Sequence, residues 1–261
     1  MNISSRKYGQ PPYKVAVLHG GPGAPGYMAP VARELSKTLG VFEPLQTKDS
    51  LDGQVAELKK QLTDHAELPV TLIGSSWGAL LALFLAAKHM DMAEKLILVG
   101  CGVFDAQSSA KITPRRLSRL SEDNRPQYEA IMLALETAPP KKRNALMKKW
   151  GNLLDETDMY DPITKDTETI EVQYDLHTKV WSDFIALRDR PGLLKGQFSK
   201  IDKPTVVIHG EYDPHPIEGI RPFLEDCLKD IRFYILPKCG HYPWMERHAR
   251  ERFFGILLQE I

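Results

Sequence analysis

Short apolar runs recur along the chain, each closed by a turn: "KVAVLHG" from Lys14, "GVFEPL" from Gly40, "PVTLIGS" from Pro69, "KLILVGCG" from Lys95, "PTVVIHGEYD" from Pro204 and "RFYILPKCGH" from Arg232. They are aliphatic and rich in β-branched residues, and they do not alternate with polar positions. Runs of this kind predict strands buried on both faces, as in a parallel sheet. Between them the apolar spacing changes to a helical period in "PVARELSKTL", "SLDGQVAELKKQLTD", "GALLALFLAAKHM", "GIRPFLEDCLKD" and "PWMERHARERFFGILLQEI". Strand and helix alternate, which predicts an α/β fold with right-handed crossovers.

The alternation stops once, between Val103 and Ile201, where no strand pattern is found. Helix starts recur there instead: Thr113-Pro114, Arg125-Pro126 and Pro139-Pro140 each place proline near a first helical turn. The expected organisation is an α/β core of residues 1–104 and 202–261, interrupted by a helical insertion over 105–201. Charge is segregated within the insertion. Lys111, Arg115, Arg116, Arg119, Lys141, Lys142, Arg143, Lys148 and Lys149 come early, and Asp155, Glu156, Asp158, Asp161, Asp166, Glu168, Glu171 and Asp175 come late. Two readings stand side by side: solvated helix faces that partly pair with each other, or an acidic wall that receives a substrate cation.

One turn carries chemistry. Gly74-Ser75-Ser76-Trp77-Gly78 fits G-x-S-x-G and joins an expected strand to an expected helix, the setting in which a serine is pushed into the open. A serine hydroxyl needs a base within reach and a carboxylate to orient that base. Asp213 follows "TVVIHG" and His241 follows "RFYILPKCG", so both sit at the carboxyl ends of later strands, in the order nucleophile, acid, histidine. Asp105, beyond the strand ending near Gly100, is the alternative acid. The backbone N–H of Trp77 and that of Gly21 in "LHGGPG" are candidate donors to an oxyanion. Ser75 reads as structural, and His19 and His209 read as loop-bracing residues.

Composition narrows the classes. The 34 basic and 34 acidic residues cancel, which points to neither nucleic acid nor a membrane surface as partner. Cys101, Cys227 and Cys239 are odd in number and lack C-x-x-C spacing, so neither a disulfide framework nor a zinc site is expected. Asp213, His215 and His241 could be imagined as metal ligands, but they lack close spacing and a fourth partner. No apolar run approaches the roughly 20 residues of a membrane span, and "MNISSRKYGQPPYK" lacks an apolar signal region, so a cytoplasmic location is expected.

"HGGPG", "GSSWG", "GEYD" and "CGHYPWMER" together resemble the α/β-hydrolase fold superfamily, and the first two resemble its proline iminopeptidase branch. The resemblance covers about Lys14 to Val103 and Lys203 to Ile261, with the insertion at the superfamily's cap position. It implies Ser76 as nucleophile, His241 as general base and then acid, Asp213 as orienter, and Gly21 with Trp77 as the oxyanion hole. The four motifs are specific to the superfamily and not to a substrate; the expected enzyme is a serine hydrolase acting by acyl transfer on small esters, with no metal or organic cofactor. An iminopeptidase-like aminopeptidase is the alternative within that class, and a fold member with an idle triad that only binds a ligand is the alternative outside it.

The superfamily usually runs a β-hairpin before its "HG" strand. Only thirteen residues precede Lys14, and Gly9-Gln10-Pro11-Pro12 lies among them, too few for two full strands. The expectation is therefore a sheet of about six parallel strands without the hairpin, leaving "GVFEPL" at an edge. Either the stretch Met1 to Tyr13 or a second subunit, in a homodimer, should cover that edge.

Overall fold

The computed structural model describes residues 4–163, 170 and 172–261. Seven strands form one sheet: β1 (Ser5–Tyr8), β2 (Tyr13–Leu18), β3 (Gly40–Pro44), β4 (Val70–Ser75), β5 (Ala93–Val99), β6 (Thr205–Gly210) and β7 (Ile231–Leu236), in the order β1-β3-β2-β4-β5-β6-β7. Strands β2 to β7 are the six parallel strands read from the apolar runs. The seventh, β1, pairs antiparallel with β3 from Ser5 opposite Pro44 to Tyr8 opposite Val41. The chain's own first residues thus cover the edge, which needs no second subunit. A polar reason accompanies the pairing: Glu43 of β3 is fully buried and accepts a hydrogen bond from the Tyr8 hydroxyl at 2.8 Å, with Arg6 at 3.6 Å. Burial and the neighbouring Glu43 charge push the Tyr8 phenol up to about 12.

Successive residues of the central strands point to opposite faces, so a run buried on both faces must be apolar throughout. Leu72, Leu96, Leu98 and Val207 face one layer, formed by α2 (Leu51–His65), α3 (Trp77–Lys88) and α10 (Arg221–Cys227). Ile73, Ile97, Val206 and Ile208 face the other, formed by α1 (Ala29–Leu35) and α11 (Arg250–Glu260). Helix α2 is amphipathic and starts at Ser50, whose side chain accepts from the Gly53 N–H. Helix α3 is buried from Trp77 to Ala86, which explains why its sequence shows no polar face.

Between β5 and β6 the described residues form α4 (Ala106–Ser109), α5 (Ile112–Arg119), α6 (Arg125–Thr137), α7 (Pro140–Asp158), α8 (Tyr174–Arg188) and α9 (Pro191–Phe198). Leu120, Ile131, Leu135 and Leu153 make a separate small core that joins α6 to α7. Part of the segregated charge is used internally, in the pairs Arg116–Asp158 and Arg143–Asp175. Asp166, Glu168 and Glu171 lie outside the described residues. No helix among the described residues is long and apolar enough to cross a membrane.

Candidate active site

The turn after β4 is tighter than a side chain at either glycine would permit. A Cβ on Gly74 would stand 2.2 Å from the Gly78 carbonyl oxygen, and one on Gly78 would stand 2.3 Å from the Leu18 carbonyl oxygen. Ser76 takes φ 53° and ψ −112°, a region costing of order 1–3 kcal/mol for a non-glycine residue. The surroundings hold it there: its N–H donates to the Val99 carbonyl at 2.8 Å, and the indole of Trp77 is fully buried and donates to Gln54 Oε1 at 2.7 Å. Ser75 is buried in β4, in line with a structural role.

Ser76 and His241 line the same cavity of about 440 Å³, which lies between the carboxyl ends of the strands and the inserted helices. Asp213, on the turn after β6, is 3% exposed, and His241, after β7, is 2% exposed. The His241 Nδ1–H donates to Asp213 Oδ2 at 2.6 Å. Burial disfavours a charged His241 ring, but the Asp213 charge and this hydrogen bond outweigh burial and hold its pKa above the ordinary histidine value. Burial likewise opposes the Asp213 carboxylate, yet the surrounding histidines and their hydrogen bonds keep it well below the usual carboxylate range. No hydrogen bond joins Ser76 to His241 among the described residues; such contacts commonly tighten only with substrate in place.

The candidate oxyanion donors also reach this wall. Gly21 lines the cavity at φ 53°, a left-handed conformation that favours glycine, and its carbonyl accepts from the Ala24 N–H at 2.9 Å. Neither the Gly21 nor the Trp77 N–H donates to a backbone acceptor among the described residues. The Gly21 loop is held from the inserted helices: His177 of α8 donates through Nδ1 to the Pro22 carbonyl at 3.1 Å, and the Gln173 N–H donates to Gly23 at 2.8 Å.

The two histidines read as loop braces occupy such positions. His19 Nδ1–H donates to the Gly20 carbonyl and its Nε2 accepts from the Gln46 N–H, while burial lowers its pKa to about 4. His209 Nε2–H donates to the His215 carbonyl at 2.9 Å. Asp105, the alternative acid, caps α4 by accepting from the Ser108 N–H at 2.6 Å, so the acid facing His241 is Asp213. Cys101 and Cys239 are buried, and burial raises both thiols.

The acidic-wall reading names Asp155 and Asp158 without saying which acids reach the site; the structure brings both to the cavity, where the Asp158 carbonyl accepts the His241 N–H at 2.7 Å. The Tyr27 hydroxyl donates to Asp155 Oδ1 at 2.7 Å, its ring lies 5.2 Å from that of Tyr242, and Arg116 forks onto both carboxylate oxygens of Asp158. Trp150, Trp181, Phe184 and Met147 supply the apolar wall. Asp213, His215 and His241 present ligand-type atoms within 4.8 Å of one another. Their contacts are accounted for by hydrogen bonds: both imidazole Nδ1 atoms are engaged with the two oxygens of Asp213.

Comparison with known proteins agrees with this architecture. A sequence model described as "Alpha/beta hydrolase family" matches residues 15–254. The chain is 24% identical over 221 residues to the mouse (Mus musculus) protein named serine hydrolase BPHL, covering 83% of this chain and 60% of that relative's length. It is also 24% identical over 285 residues to the proline iminopeptidase of Thermoplasma volcanium, covering 95% of this chain and 88% of the relative. Among solved structures, VinJ superposes with a TM-score of 0.67 at 17% identity, over 98% of this chain and 93% of that one. The enol-lactonase from Burkholderia xenovorans LB400 gives 0.60 at 18%, over 98% and 94%; at these identities the likeness is one of fold.

Proposed function

The chain belongs to the Alpha/beta hydrolase family, and on that premise we propose that it is a serine hydrolase acting on small carboxylic esters through an acyl-Ser76 intermediate. The observation that carries the reading is the buried Asp213–His241 pair, 2.6 Å apart, opening on the same cavity as a serine held at φ 53°. With Asp213 on Nδ1–H, the neutral imidazole presents a bare Nε2, and that nitrogen takes the Ser76 proton as Oγ attacks the ester carbonyl carbon. Charge then gathers on the carbonyl oxygen, where the Gly21 and Trp77 N–H groups receive it. The imidazolium returns the proton to the leaving alcohol. Water, deprotonated by the same Nε2, attacks the acyl-Ser76 carbonyl; the bond to Oγ breaks, Oγ takes the proton back from the imidazolium, and the acid is released.

The helices of residues 105–201 act in this reading as a cap: they close the cavity over Ser76 with Trp150, Trp181 and Phe184, surfaces suited to an apolar acyl or alkyl group. One observation favours a second substrate. Asp155 lies on the cavity wall and resembles what an aminopeptidase would use to hold a free amine, in keeping with the iminopeptidase likeness. Short p-nitrophenyl esters and proline-naphthylamide, offered to the wild type and to Ser76→Ala, separate the two. Ester turnover lost in Ser76→Ala is the expected result; turnover of the naphthylamide alone would favour the aminopeptidase, and turnover unchanged in Ser76→Ala would refute both.

A further inference from the structure

A second imidazole stands against the acid and base, and the mechanism above gives it no part. His215, two residues after Asp213, donates to Asp213 Oδ1 twice: from its backbone N–H at 2.8 Å and from Nδ1–H at 2.8 Å. A carboxylate can only accept, so Nδ1 carries the proton of His215. Its ring lies face to face with that of His241, centroids 4.6 Å apart and planes 26° apart. The backbone of His215 is fixed in turn, because its carbonyl accepts from His209 Nε2–H and the preceding Pro214 carbonyl accepts from Arg115 at 3.4 Å. The side chain is 11% exposed and lines the cavity.

We infer that His215 is a positioning residue of the triad, clamping the Asp213 carboxylate through Oδ1 and backing the His241 imidazole with its ring face. The inference rests on the serine-hydrolase reading. A carboxylate on a turn can rotate about its Cβ–Cγ bond, and only one setting aims Oδ2 along the His241 Nδ1–H. Two donors from one residue onto Oδ1 select that setting. The neutral ring of His215 also occupies the side to which the His241 ring would otherwise swing, and it places a polarisable face beside a ring that becomes cationic during the reaction. Burial supports this division of labour by lowering the His215 pKa to about 4, so the ring is neutral while His241 works.

The consequence reaches the pH profile. Each N–H donor on Asp213 disperses carboxylate charge that would otherwise act on the His241 imidazolium. Removing the His215 donor therefore raises the His241 pKa and moves the acid limb of activity to higher pH. The other groups facing His241 stay in place: His209 at the end of β6, Asp213 on the turn after it, Asp158 from α7, Arg116 from α5, and Tyr242 beside it. His215→Phe keeps a flat ring and the backbone N–H but loses the Nδ1–H donor; His215→Asn loses the ring but retains a side-chain N–H that can reach Oδ1.

The test is the second-order rate of fluorophosphonate labelling across the histidine titration range, for wild type and both variants of the full chain, with thermal melting as the check on folding. His215→Phe should label about 10- to 100-fold more slowly at the plateau, with its acid limb raised by about half a pH unit. His215→Asn should recover part of the rate and leave the limb near the wild-type position. Wild-type rate and limb in His215→Phe would overturn the inference. So would equal slowing in both variants with an unmoved limb and a lowered Tm, the signature of a structural role alone. Absence of labelling in folded wild type would overturn the serine-hydrolase reading itself, and this inference with it.

Discussion

Arg116 is held inside the protein by one carboxylate. Its Nε and one terminal nitrogen meet both oxygens of Asp158, Arg116 is 16% exposed along its side chain, and Asp158 is 1% exposed. Burial disfavours the guanidinium charge, but Asp158 outweighs it and holds the pKa above the ordinary arginine value. The pair also braces the site, because the Asp158 carbonyl accepts the His241 N–H at 2.7 Å. Arg116→Met leaves a buried carboxylate without its cation, a loss that generally costs about 3–5 kcal/mol. The Thr157 hydroxyl, 2.9 Å from the Leu154 carbonyl and 3.1 Å from Asp158 Oδ1, can turn to donate to the carboxylate, which places the expectation at the lower end, about 3 kcal/mol. For a chain of this size that is a fall in Tm of about 6–12 °C. The double variant Arg116→Met/Asp158→Leu removes both charges and should regain most of the loss, since an ion pair replaced by apolar groups is often neutral. Urea unfolding followed by circular dichroism measures both. A single variant within 1 kcal/mol of wild type, or a double variant no more stable than the single, would refute the reasoning.

Asp213→Asn should lower kcat by about 10⁴ by misorienting the His241 ring, whereas Asp105→Asn, which alters only a helix cap, should leave kcat within about twofold; a reversed order in ester turnover would move the acid to Asp105. Gly21→Pro removes one oxyanion donor and cannot take φ 53°, so kcat should fall by at least about 10² to 10³ while Tm shows whether the loop stays folded. The pH profile of kcat/KM should rise through an acid limb above the ordinary histidine pKa, because His241 must lose its proton to act and Asp213 holds that proton on; a limb below the ordinary value would contradict the Asp213–His241 geometry.

The central parallel strands were legible because they are buried on both faces, so every residue from Val70 to Ser75 had to be apolar or small and polar, whereas the edge strand β7 is only half-buried. The pairing of Asp213 with His241 was legible because both follow strand ends in a fixed chain order, and the fold brings them to 2.6 Å. Strand β1 was not legible as a strand: "SRKY" is short, polar and only half-buried, and its reason for pairing is the Glu43 side chain on another element. Which of the segregated charges would line the cavity was hidden for a related reason. Tyr27 and Asp155 are 128 positions apart, and Arg116 and Asp158 are 42 apart, so no local period marks them as partners. His215 lay in plain view beside Asp213, but its meaning depends on a ring stack that only the folded turn creates.

The most direct measurement is the intact mass of the purified protein after exposure to a fluorophosphonate, with Ser76→Ala beside it and peptide mapping of the adduct. The account predicts one phosphonyl group per chain, located on Ser76 and absent from the variant. A well-folded wild type that gains no mass, or a Ser76→Ala variant that gains the same mass, would contradict it.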